Sequence, residues 1–129
     1  MRLNYDCVRD VLLDLEDMLQ FNEELEYPVI NLDDICNELE SYSKQEIAYT
    51  LINLSEANYI VAQICDGDDI LVDILCTRIT FEGHKYLDSI RTPQIWAEIK
   101  QTFKSKAINL SLDWILTLAK AAAESRLLQ

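Results

Sequence analysis

Glycine and proline are scarce in this sequence, two of each among 129 residues, while half the chain is apolar or aromatic. So few breakers exclude collagen-like and low-complexity architectures and leave room for long regular elements around a packed core. Histidine is scarcer still: His84 stands alone, which rules out a His-based metal cluster. The four cysteines, Cys7, Cys36, Cys65 and Cys76, form no C-x-x-C pair and fall within apolar patterns, so free buried thiols in a reducing compartment are expected. No uninterrupted apolar run approaches about 18 residues, and no basic segment followed by an apolar stretch stands at the start. The expectation is a soluble, cytoplasmic protein with no membrane span. Gly-rich phosphate loops, G-x-S-x-G and H-E-x-x-H are all missing. The chain is therefore read as non-enzymatic, with no catalytic residue, cofactor or metal.

Basic residues are few where they would matter most. Through Leu75 there are three (Arg2, Arg9, Lys44) against eighteen acidic, a net of −15; from Cys76 onward eight basic face five acidic, a net of +3. A nucleic-acid binder ordinarily carries a basic face that releases counterions from phosphates, and the first part of this chain has the opposite.

What is present is strong periodicity. Val8, Val11, Leu12, Leu15 and Leu19 recur at helical spacing after Asn4, a suitable cap, with Asp10, Asp14, Glu16 and Asp17 on other positions. The segment from Phe21 to Asn31 breaks this period, with Pro28 and three glutamates, and reads as a loop with a short extended piece near Tyr27–Ile30 that would pair with a later strand. Leu32, Ile35, Cys36 and Leu39 mark a two-turn helix. Ser43, with Glu46 three residues on, has the S-x-x-E form of a capping box and opens a helix through about Ala57. Two short helices joined by a tight turn make a helix-turn-helix, whose second helix would enter a DNA groove.

Tyr59–Cys65 and Ile70–Thr80 favour strand around Asp66-Gly67-Asp68, a hairpin that would form a wing. Thr80 caps a further helix to about Arg91, Pro93 begins another, and Ser111 caps a last one. The expected fold is thus mainly α with a small β-hairpin, an α+β winged helix-turn-helix over residues 1–91. A C-terminal helical extension over 92–129 is expected as a possible dimerisation element.

MRLNYDCVRDVLLDLE, YSKQEIAYTLINLSEANYIVA and ITFEGHKYLDSIR together resemble a family of small uncharacterised proteins of phages, prophages and related bacterial elements, labelled by a domain of unknown function. Ile95-Trp96 and Ser111-Leu112-Asp113 continue the likeness. It implies a winged helix from a bacterial or phage cytoplasm, and hence a role in phage regulation or the contest between phage and host. It assigns no functional residues.

The functional expectation follows from these parts. Lys44, Gln45, Tyr49 and Asn53 form the candidate recognition-helix surface, and Asp66, Asp68 and Asp69 the candidate wing tip, where they would repel a phosphate backbone. The first reading is a protein that works through protein–protein contacts and modulates host or phage machinery. It is expected as a homodimer through Leu112, Trp114, Ile115, Leu118, Ala119, Ala122 and Ala123, because apolar residues occupy more than one side of that last helix. One alternative is a DNA-binding transcriptional regulator with phosphate contacts from Lys100, Lys104 and Lys106. Another is an acidic nucleic-acid mimic that inhibits a host defence protein. Glu82-Gly83-His84 is read as a close packing point at Gly83 rather than an acid–base pair.

Overall fold

Helix α1 (Tyr5–Met18) begins where Asn4 Oδ1 accepts the Cys7 amide at 3.2 Å, and its apolar stripe is fully buried from Cys7 to Leu15. The computed structural model describes residues 1–106 and 111–127. Among the described residues are six helices and a three-stranded antiparallel sheet, an α+β arrangement. By internal packing the chain divides into two units, Met1–His84 and Lys85–Gln129.

In the first unit α1 is followed by β1 (Ile30–Asn31), α2 (Leu32–Glu38), α3 (Lys44–Glu56), β2 (Ile60–Asp66) and β3 (Leu71–Ile79). The sheet order is β1-β3-β2. β1 is the short extended piece expected before α2, two residues long and shifted toward α2; it pairs Ile30 with Cys76 and Asn31 with Leu75. The β2–β3 ladder carries irregularities after Val61 and after Cys65, and such bulges add twist to a hairpin. A full reciprocal capping box occurs at Asn31, whose side chain accepts the Asp34 amide while the Asp34 carboxylate accepts the Asn31 amide. At Ser43 the hydroxyl takes the Glu46 amide at 3.1 Å, one half of such a box.

The three helices pack on one another and on the sheet. Their shared core holds Val11, Leu12, Ile35, Ile47, Leu51 and Ile74, each without solvent exposure. Truncating one of these leucines to alanine costs about 2–5 kcal/mol where the cavity does not collapse. Asp73 fastens the hairpin to α2, because its Oδ1 accepts from the Leu32 amide at 3.3 Å as well as from Ile74.

α4 (Phe81–Ile90) starts at Thr80, whose hydroxyl accepts the Gly83 amide at 3.0 Å. Any side chain at Gly83 would fall onto the Tyr59 carbonyl and the Ile79 side chain, so the close packing point read from sequence is present. In the second unit α5 (Pro93–Lys106) packs with α6 (Leu112–Leu127). Trp96, Ile99 and Phe103 of α5 and Ile115 and Ala119 of α6 are buried.

Candidate functional site

The outer side of α3 brings Lys44 and Gln45 to the surface, while Tyr49 and Asn53 are half-buried. Lys44 Nζ lies 2.9 Å from Asp33 Oδ1, an exposed ion pair between the starts of α3 and α2. That hydrogen bond and the aspartate's charge push the Lys44 ammonium above its ordinary pKa, so it stays charged but locally neutralised. Asn53 Nδ2 donates to the Tyr49 carbonyl at 2.8 Å, which turns its amide back onto its own helix. Of the four residues singled out on this helix, Gln45 alone is both exposed and without a side-chain bond among the described residues.

The hairpin tip closes with the Gly67 amide donating to the Ile70 carbonyl at 2.7 Å. Asp69, not Gly67, takes the left-handed conformation there, with φ 57°. Asp66, Asp68 and Asp69 are all exposed, next to exposed Ile70 and Val72. This end of the molecule therefore presents three carboxylates on a partly apolar ribbon.

Residues of the C-terminal helix separate by environment. Ile115 and Ala119 are buried. Leu118 and Ala122 line a groove with Ile99 and Thr102 of α5, Leu112 is half-buried and Ala123 exposed. Trp114 is 51% exposed, a large apolar side chain that α6 leaves in solvent. On α5, Lys100 Nζ lies 5.9 Å from the Trp96 ring centroid, within cation–π range; Lys104 is exposed, and the Lys106 side chain lies outside the described residues.

All four cysteines are free. Cys7 and Cys76 are fully buried, and Thr50 donates to Cys7 Sγ at 3.4 Å. Burial pushes the Cys76 thiol up to about 12 and also raises Cys7 and Cys36, so these sulfurs remain protonated and poorly nucleophilic at neutral pH. Among the described residues no group of three or more His, Cys, Asp or Glu side chains is placed to hold a metal ion. No described helix is long and apolar enough to cross a membrane.

Sequence reasoning read the segment between α1 and β1 as a loop and assigned it no site; it is ordered by its own bonds. Asn22 Oδ1 accepts the Glu26 amide at 3.0 Å, Asn22 Nδ2 donates to the Glu26 carboxylate at 3.1 Å, and the Leu25 amide donates to the Asn22 carbonyl. Leu25 adopts φ 61°, a left-handed conformation that costs a residue with a Cβ about 1–2 kcal/mol. The rings of Phe21 and Tyr27 meet with centroids 5.2 Å apart. Beside them lies a cleft of about 260 Å³ lined by Leu15, Leu19, Phe21, Pro28, Arg78 and His84, among others. The asparagine was the available signal; leucine, which ordinarily avoids this backbone region, gave none.

This α+β chain belongs to the family described as hypothetical protein (DUF2513), whose model matches residues 2–109. An uncharacterized protein of Haemophilus influenzae is 28% identical over 121 residues, 93% of each chain. No solved structure matches.

Proposed function

We propose that the protein is a non-enzymatic winged helix of phage or prophage type that acts through protein–protein contacts and modulates host or phage machinery in the cytoplasm. The winged-helix reading is supported by the order α1-β1-α2-α3-β2-β3 and by β3 lying between β1 and β2, with α3 in the place of a recognition helix and the β2–β3 hairpin as the wing. The observation that carries the functional reading is the Lys44–Asp33 pair at 2.9 Å. It occupies the one lysine of the recognition surface, while the wing tip offers three aspartates. A duplex docked in the usual way would meet carboxylates at both of its phosphate contacts, and Coulomb repulsion would oppose the dock.

A homodimer through α6 accompanies this reading, supported by Trp114 in solvent on a helix whose Ile115 and Ala119 are already buried. The test against DNA is fluorescence anisotropy of a mixed-sequence duplex titrated with the full chain across salt concentrations. No binding is expected even at low salt. Tight binding that weakens steeply with salt would instead support a transcriptional regulator, with phosphate contacts from the C-terminal lysines.

A further inference from the structure

We infer that the α1–β1 loop and the adjoining cleft form the docking surface of a protein partner whose own surface combines bulky apolar side chains with lysine or arginine. This rests on the reading above, that the protein works through protein contacts, and names the surface and the chemistry of the partner. Phe21, Leu25, Tyr27 and Val29 are all more than half exposed within nine residues of sequence, Leu25 at 74%. The Phe21 ring meets that of Tyr27 and lines the cleft itself, and exposed apolar groups gathered in this way mark an interaction site. The loop is held in shape rather than left loose: the Asn22–Glu26 bonds close it, Leu25 lies within that closure in the left-handed conformation and exposed, and the Phe21 and Tyr27 rings meet. Ordering a loop before binding lowers the entropy lost on association.

Charge selects the partner. Glu23, Glu24 and Glu26 alternate with the apolar residues and form no ion pair among the described residues. A neutral or acidic partner would bury or crowd these carboxylates without compensation, whereas lysines or arginines around an apolar pocket would pair with them. Leu25 would enter such a pocket, and a bulky side chain of the partner would lie along Leu15, Leu19 and Ile79 in the cleft, beside its polar wall of Glu16, Arg78 and His84. The first 75 residues of a second copy are a poor fit, since they repeat the same negative excess.

The test uses full-length baits in bacterial lysate, with a photo-crosslinking amino acid replacing Tyr27 in a parallel sample. Leu25→Gly separates binding from folding. Glycine accepts the left-handed conformation without the Cβ clash, so this variant should melt at the same temperature as wild type or higher, yet lose at least tenfold in captured partner. Glu23→Gln/Glu24→Gln/Glu26→Gln should also lose capture, and high salt should release the wild-type complex. Cross-links should map beside lysines or arginines of the captured protein. If Leu25→Gly captures the same protein as well as wild type does, this surface is wrong while the protein-contact reading stands. A cross-link to a second copy of the chain also overturns the inference. If no bait captures any protein, the underlying reading fails, and the inference with it.

Discussion

Tyr42 donates its phenolic hydrogen to Asp10 Oδ2 across 2.6 Å, tying the α2–α3 connection to α1 over 32 positions of sequence. Burial and this carboxylate push the Tyr42 hydroxyl well above the ordinary tyrosine range, so it remains a donor throughout the pH range in which the protein is handled. Tyr42→Phe keeps the ring and removes the bond. A loss of about 1–2 kcal/mol is expected in urea unfolding, as for a hydrogen bond to a charged acceptor; an unchanged midpoint would mean that water replaces the bond at no cost.

Asp14 should be a source of instability at neutral pH. Its carboxyl is raised from 3.8 to about 6, first by burial and then by the charges of Glu38 and Asp17, and its Oδ2 is buried without a partner. A folded-state pKa above the unfolded one means that the native state binds the proton more tightly. The contribution of Asp14 to stability is therefore fully present below about pH 4 and is lost as pH rises through 6. Asp14→Asn should gain about 1 kcal/mol at pH 7, a figure reduced for partial solvent screening. The difference between the two proteins should vanish near pH 4, and a gain constant across that range would exclude titration of Asp14 as its source.

Gly83→Ala should be among the most damaging single-atom changes available to the chain. The added methyl would strike the Tyr59 carbonyl and come within 2.8 Å of Ile79 Cγ2, and backbone cannot step aside as a flexible side chain can. Destabilisation of roughly 3 kcal/mol, the upper end for overpacking, is expected in thermal or chemical denaturation. A soluble variant with wild-type stability would show that α4 can shift its start.

Trp114 tests the dimer. Light scattering after gel filtration should give twice the monomer mass at micromolar concentration, and Trp114→Ser should shift that mass toward the monomer and make the melting temperature independent of protein concentration. A monomeric wild-type chain would remove α6 as an interface.

Local physics made much of this fold legible. Asn4, Ser43, Thr80 and Ser111 each cap the helix that follows, and the apolar period of α1 buries the side it indicates. The hairpin and the short strand before α2 also follow from residue type and turn chemistry. What escaped is non-local. Nothing in the spacing announces that Asp73 bonds the Leu32 amide 41 residues away, or that Tyr42 is the partner of Asp10. The candidate recognition surface was legible as a set of positions. Its neutralisation was not, because Asp33 reaches Lys44 only once α2 and α3 have packed. Leu25 was hidden for a different reason: its backbone conformation is imposed by the Asn22–Glu26 closure against leucine's own preference.

The most direct measurement is affinity capture from bacterial lysate with the full chain as bait, run with and without nuclease. Action through protein contacts requires that the same protein be retained in both arms, with no nucleic acid in the eluate. Loss of the captured material on nuclease treatment, with DNA recovered from the untreated arm, would contradict that function and favour DNA binding instead.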